Sequence, residues 1–432
     1  MKQIAALKRE FMNAIRTGWF LALRQIRRGG KGTTILIIFI MVLTFLNLVV
    51  VSGLLLGLIT GSFEQFRESY SGEVIITSAP LRDYIENTSA LISYLENHPK
   101  VTAISPRHSV GVSILGTLND LPGKNERQNK ISTRLVGIDP DKEEVLTGFS
   151  RFIIKGEPLV AGEEGYIVMG YNFLRKYSSF ADANIPGLDL LADVDVGSRV
   201  KVTLSTKDGG IVSKDFIVKG IAKSKIDEVS TRMFINDSEL KRMLPVNKEQ
   251  YQEIAIKTDP DFAPDLVHEL EEFHKPYAAR IQTSGAAIPS FLRDIETTMA
   301  VLGNALSSIA LVVASITIFI VVFINAVTKR KFIGIMKGIG ISPLAIEISY
   351  ILQAFFYGIS GSIIGLILTF GVLKPYFDAY PINFPFSDGI LVATASGAGI
   401  RVLILLVVTL IAGYVPAKLI VRRNTLDAIL GR

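Results

Sequence analysis

The chemistry open to this chain of 432 residues is bounded by four histidines, one tryptophan and no cysteine. Without cysteine there can be no disulfide, thiolate metal site or thiol nucleophile. The densest run of ligating side chains is H-E-L-E-E-F-H, His268 to His274. Its histidines are six apart, which puts them about 120° from each other on a helix, unlike the i, i+4 pair that grips a metal from one face. A solvated charged face is the expectation. G-G-K-G-T-T, Gly29 to Thr34, has the ingredients of a phosphate loop. A Walker A loop, however, needs G-x-x-x-x-G-K-[ST] between a strand and a helix, so this run is expected to be a linker. His98 and His108 stand near no nucleophile motif, and no Ser-His-Asp arrangement can be assembled. What remains is a stretch that binds rather than reacts: T-K-R-K-F-I-G-I-M-K-G-I-G-I-S, Thr328 to Ser342, basic, punctuated by glycine and set between two long apolar runs.

The elements that position this stretch follow from composition. The chain is 49% apolar and 20% charged, too greasy for an ordinary soluble domain and too charged for a bundle buried wholly in lipid. Four runs are long enough to cross a bilayer, which takes about 20 mostly apolar residues: 34–60, 298–327, 344–373 and 391–415. The first is too long for a secretion signal and is read as an anchor. Residues 1–33 hold eight Lys/Arg against one acid, Glu10; residues 328–343 hold four against none; residues 416–432 hold four against one, Asp427. By the positive-inside rule all three are expected in the cytoplasm, the first as an interfacial helix with a linker and the last as a tail. Residues 62–297 carry 28 basic and 35 acidic groups, a net of −7 inside a chain of formal charge +6. The basic balance is thus topology, and no nucleic-acid partner is expected.

The layout is one span, an extracytoplasmic domain at 61–297, then three spans with a short outer loop at 374–390. In the domain, Gly72–Ser78, Val101–Leu115 and Gln252–Lys257 have the pattern of strands, and Ser89–Asn97 and Pro264–Phe273 that of helices. One strand-helix-strand unit near each end, about 72–135 and 250–285, is expected to form one subdomain, with a strand-rich subdomain inserted at 136–249. Residues 119–130 are a polar loop. The second span keeps a helical pattern from about Ser290 to Lys329, some 60 Å at 1.5 Å per residue, so a stalk is expected to extend it. Ahead of the first span, Ile4, Leu7, Phe11, Ile15, Trp19, Leu23 and Ile26 recur at helical spacing with Lys8, Arg9, Arg16, Arg24, Arg27 and Arg28 elsewhere, the makeup of a helix at the membrane interface. Gly53, Gly57 and Gly61, and Gly361 and Gly365, have the small-xxx-small spacing of close helix packing, either between two copies or within one.

The 328–342 stretch reads as a short helix with Ile333, Met336 and Ile339 or Gly340 on one stripe and Lys329, Lys331 and Lys337 around it. It resembles a segment of the MacB/FtsX-like (type VII) ABC transporter permeases, of the form E-R-R-R-E-I-G-I-L-K-A-I-G-A-S. Lys329, Arg330, Lys331, Ile333, Gly334, Ile335, Lys337, Ile339, Gly340 and Ser342 match, whereas Thr328 and Phe332 stand where the family has glutamates. P-A-K-L-I-V-R-R-N-T-L-D-A-I-L, Pro416 to Leu430, is similar to the family's terminal motif. G-I-D-P-D-K-E, Gly137 to Glu143, and V-G-S-R-V-K-V, Val196 to Val202, resemble the MacB and lipoprotein-releasing branches.

The resemblance implies a fold of four transmembrane helices in a 1+3 arrangement with a two-subdomain α+β extracytoplasmic domain, in the inner membrane. It implies that 328–343 is a coupling helix docking on a separate ABC ATPase, with Lys329, Arg330, Lys331, Ile333, Gly334, Met336, Lys337, Gly340 and Ser342 its contact residues. No cofactor is expected on this chain, ATP and Mg²⁺ belonging to the partner. A second permease subunit, identical or different, would complete the transporter, with membrane lipids and a periplasmic adaptor or cargo lipoprotein as further partners. The function implied is mechanical export or extraction of an amphipathic cargo; the alternative is an FtsX-like regulator that activates a cell-wall hydrolase and transports nothing. The chain itself is not expected to be an enzyme.

Overall fold

In the computed structural model, residues 2–28, 31–116, 129–178, 181–182, 189–205, 210–244, 250–273, 279–384, 388–389 and 391–421 are described. Gly29 and Gly30 of the linker, most of the 119–130 loop, His274 and the tail from Arg422 lie outside them, as do the side chains of Ile4 and Leu7.

Three helices open the chain, α1 (Lys2–Arg28), α2 (Lys31–Leu46) and α3 (Ser52–Phe66). Then come β1 (Val74–Ser78), α4 (Thr88–Glu96), β2 (Val101–Leu115), β3 (Lys130–Ile138), α5 (Pro140–Thr147), β4 (Ile153–Gly156), β5 (Tyr166–Gly170), β6 (Arg199–Ser205), β7 (Ile211–Ala222), α6 (Asp227–Ser230), β8 (Arg232–Asn236), α7 (Asp237–Met243), β9 (Glu253–Thr258), α8 (Ala263–Phe273), β10 (Ala279–Thr283) and α9 (Ser284–Ala287). The chain continues through α10 (Ser290–Thr328), α11 (Arg330–Gly338), α12 (Pro343–Leu368), α13 (Lys374–Ala379), the two-residue strands β11 (Ile382–Asn383) and β12 (Asp388–Gly389), and α14 (Ala395–Val421). The described residues form two compact units, one within 60–293 and one of 2–59 with those from 294 on.

Among the described residues, four helices are long and apolar enough to cross a membrane: Lys31–Ser71, Leu292–Thr328, Pro343–Ala379 and Ala395–Leu419. The first runs eleven residues past the expected span, because helical hydrogen bonding continues through π-turns at Asn47–Val51 and Arg67–Ser71 instead of stopping at the end of the apolar run. Helix α10 is unbroken for 39 residues, about 58 Å at 1.5 Å per residue, twice the roughly 30 Å of hydrocarbon it would have to cross. The bundle core gathers Ile37 and Met41 of α2, Ala314, Ile318 and Val322 of α10, Ile346 and Tyr350 of α12, and Ala412 and Ala417 of α14.

The 60–293 unit holds two strand assemblies that share β2. Strands β10, β1, β9 and the first half of β2 lie side by side, all antiparallel. With α4 and α8 as crossovers this is the β-α-β-β-α-β order of a ferredoxin-like layer, its core made by Val74, Ile76, Leu91, Leu95, Ile254 and Leu266. The second half of β2 pairs with both β3 and β6, and the path β2, β3, β8, β5, β7, β6 returns to β2 as a closed ring. Closure leaves no free edge there, and Ile114, Leu135, Met169, Val202, Phe216 and Met233 fill the interior. The inserted subdomain therefore begins inside β2, earlier than 136, since no glycine or bulge interrupts the strand between Arg107 and His108 where the partner changes.

That change of partner is polar. Arg107, 2% exposed, forks onto the buried Glu143 of α5 at 2.9 and 2.7 Å and donates to the Tyr70 carbonyl oxygen at 2.8 Å. Tyr70 donates to Glu253, which also pairs with Arg232 at 3.3 Å. Although burial works against its charge, the nearby Arg232 and Arg107 hold Glu253 below the usual carboxylate range. The G-I-D-P-D-K-E run supplies this joint: Asp139 caps α5 by accepting from the Asp141 and Lys142 amides, Pro140 takes the first helical position, and Glu143 is carried inward to Arg107.

Candidate coupling site

Helix α11 is cut from α10 by one residue, Lys329, whose backbone leaves the helical region (φ −96°, ψ 12°). Its far end is a Schellman motif. The Ile341 amide donates to the Met336 carbonyl at 2.9 Å and the Gly340 amide to that of Lys337 at 3.1 Å. Gly340 takes the left-handed turn at φ +91°, where any Cβ would be strained. Ser342 then caps α12 by accepting from the Ala345 amide, with Pro343 at the first helical position. Gly340 and Ser342 thus shape the turn that ends α11.

The helix has two apolar faces. Ile333, 2% exposed, belongs to the same buried core as Ala326 of α10, Ile346 of α12 and Ala417 and Val421 of α14. Gly334 is buried, Met336 packs partly against the same core, and Lys337 Nζ donates to the Val421 carbonyl at 2.7 Å, capping the end of the described part of α14. On the other side Phe332, Ile335 and Ile339 are 67%, 51% and 73% exposed. Spaced by three and four, they fall within about 60° of one another around the helix. Lys331 is exposed beside them, and Lys329 and Arg330 are half-buried.

The expected stripe of Ile333, Met336 and Ile339 is therefore divided: Ile333 faces the chain's own core, Met336 lies at its margin and Ile339 faces out. Phe332, which stood out only as a departure from the resembled pattern, is the outward apolar residue nearest the start of the helix. Its spacing to Ile335 and Ile339 was the signal available in the sequence.

Three of the five spaced glycines meet neighbours in the same chain. A Cβ on Gly361 would lie 2.3 Å from Met41 Cβ, one on Gly365 2.3 Å from Phe45 Cδ1, and one on Gly53 2.8 Å from Leu391 Cδ1. Gly57 and Gly61 are buried on α3. His268 is exposed on α8, and among the described residues no group of three or more His, Asp or Glu is placed to hold a metal ion.

Residues 304–425, from α10 through α11 to α14, match the FtsX-like permease C-terminal family. That match spans the three membrane helices on either side of α11 and the turn that joins them, which is the part of the chain the likeness covers. The chain is 31% identical over 134 residues to the ABC transporter permease YtrF of Bacillus subtilis (strain 168), a stretch covering 28% of this chain and 30% of that one. It is 22% identical over 346 residues to the lipoprotein-releasing system transmembrane protein LolC of Neisseria meningitidis serogroup B, covering 75% and 76% respectively. Among solved structures it is similar to the periplasmic region of MacB from Actinobacillus actinomycetemcomitans (14% identity, TM-score 0.32, 50% of this chain and 90% of that one). It is also similar to the extracellular domain of YknZ from Gram-positive bacteria (10% identity, TM-score 0.30, 49% and 99%).

Proposed function

We propose that this chain is the membrane subunit of an ABC transporter that seats a separate ATPase on α11 and passes the ATPase's movement to its own helices. The two-faced geometry of α11 carries the proposal. Phe332, Ile335 and Ile339 offer an apolar face to a cleft, while Ile333 on the other side is part of the core that α10, α12 and α14 share. A push on the outer face would thus reach the core that three membrane helices share. ATP and Mg²⁺ would be bound by the ATPase, and a second permease, identical or different, would present a second α11 to the ATPase pair. The cargo would be amphipathic (a lipoprotein, lipid, peptide or drug), moved by changing the shape of the 60–293 domain. The likeness to LolC supports a lipoprotein most directly. An adaptor would act on the extracytoplasmic side.

Burying one large apolar side chain is worth about 1.5–3 kcal/mol, against about 0–1 for an exposed ion pair, so shape should outweigh charge at this site. Phe332→Asp should release the ATPase in co-purification and abolish stimulated turnover, and Lys331→Ala should do little. Retention of ATPase and turnover by Phe332→Asp would refute the docking face.

The termini and α11 would lie in the cytoplasm, a reading supported by the basic balance of 1–33, 328–343 and 416–432. In intact cells an impermeant thiol reagent should label Ile211→Cys, on an exposed position of β7, and spare Lys331→Cys. The reverse pattern would invert the topology.

A further inference from the structure

Helix α1 is divided lengthwise into three sectors. Ala14, Gly18 and Ala22 are buried, and a Cβ on Gly18 would lie 2.7 Å from Ile348 Cγ2 and 2.9 Å from the Ala345 carbonyl oxygen, so this sector is pressed onto the first turns of α12. A Gln25–Gln353 side-chain hydrogen bond of 2.6 Å extends the contact. At about 100° per residue, Ile15, Trp19, Met12 and Leu23 form the next sector, and all four are exposed, Trp19 by 58%. Arg16, Arg27 and Arg24 follow on the third sector with Phe20 among them, the Arg24 guanidinium 5.9 Å from the Phe20 ring centre. Among the described residues no carboxylate pairs with any of these arginines.

We propose that α1 binds acidic phospholipids, with Arg16, Arg24 and Arg27 on the headgroup phosphates and Ile15, Trp19 and Leu23 among the acyl chains. A large apolar sector bordered by arginines that no described carboxylate pairs matches the profile of an anionic bilayer surface, greasy below and negative above. Water would leave the apolar second sector unsatisfied, and an apolar protein surface would leave the arginines of the third so. Because Gly18 bears on Ala345, three residues beyond the Ser342 cap, the lipid contact also braces the turn that ends α11. The inference stands apart from the ATPase proposal, since it needs only the chain and a bilayer.

Trp19 is the only tryptophan, so its emission reports α1 in the full chain. The protein is reconstituted in phosphatidylcholine nanodiscs carrying equal minor fractions of either brominated phosphatidylglycerol or brominated phosphatidylcholine. The acidic lipid should quench Trp19 several-fold more strongly. Raised salt, or the combined Arg16→Gln, Arg24→Gln and Arg27→Gln variant, should erase the difference, while inorganic phosphate at constant ionic strength should not. If the variant fails to fold, the salt arm on the parent protein decides. Equal quenching by the two lipids overturns the proposal, as does competition by free phosphate. So does the absence of quenching by either lipid, whether acrylamide reaches Trp19, meaning water covers it, or does not, meaning a second copy does.

Discussion

The membrane helices and the 60–293 domain solve the same problem, bringing chain segments close together, with opposite materials. Between α2 and α12 the close approaches are made by glycine: Gly361 against Met41 and Gly365 against Phe45. Lipid gives apolar side chains no reason to leave it, so helices there are held by the contacts that small residues allow. The strand domain is bathed in water, which drives its apolar side chains into separate cores. Having that drive, it can hold buried charge where β2 passes from one assembly to the other. In spans, small residues mark where helices meet; in strands, a buried arginine marks where two cores meet.

The largest effect expected from this contrast is at Arg107 and Glu143. Glu143→Leu strands a buried guanidinium, and breaking a buried pair from one side costs about 3–5 kcal/mol. Hydrogen exchange of the full chain should show faster opening of β2 and α5, with α12 unaffected. Adding Arg107→Met should recover much of the loss, because the pair is then replaced by apolar atoms. If Glu143→Leu leaves β2 exchange unchanged, the junction does not depend on its charges.

Gly361→Leu should come next, at about 1–3 kcal/mol for overpacking. The loss should be large because a Cβ alone would already lie 2.3 Å from Met41 Cβ and 3.0 Å from the Met41 carbonyl carbon. Gly371→Ala, where a Cβ meets nothing within 4 Å, should be nearly silent. The readout is monodispersity and melting in detergent. If Gly361→Leu keeps a stable single chain and only splits dimers, the glycine works between copies and the contrast must be redrawn.

Much of this fold was legible where a single period runs long. The 3.6-residue period of α10 announced a helix from Ser290, and alternation across Val101–Leu115 gave β2 its full length. The partner change within β2 was not legible, because alternation reports which face is buried and is silent about which strand lies alongside. The π-turns were hidden for a like reason: apolar spacing barely changes when one hydrogen bond lengthens its loop. At α11, Gly340 and Ser342 were visible as turn chemistry. Ile333 and Met336 were grouped with Ile339 because a short helix with apolar residues on both sides offers two stripes of equal merit. Only the neighbouring helices decide which stripe faces inward.

The smallest expected effect is in acid. Asp237 of α7 meets His108 Nδ1, Lys241 Nζ at 2.7 Å and the Tyr251 hydroxyl at 3.2 Å. Burial works to raise its carboxyl, but the His108 and Lys241 contacts outweigh burial and hold it below the usual range. A carboxylate whose folded value is lowered contributes stability that is fully present above its unfolded value, about 3.9, and is lost as pH falls through the folded value. Glu253 is shifted the same way. Asp227 and Glu228 are raised by burial, so they favour the fold at low pH and lose that contribution as pH rises through their folded values, which partly offsets the slope. Asp237→Asn should therefore lower stability at neutral pH and approach the parent as the solution is acidified, with Glu253 keeping part of the acid sensitivity. Hydrogen exchange at β2 and α7, followed from neutral pH into the carboxylate range, measures this, with α12 as the internal reference. A variant that stays parallel to the parent at every pH would show that Asp237 titrates alike in the folded and unfolded chain, and charge would then matter at the junction only through Arg107, Glu143, Arg232 and Glu253.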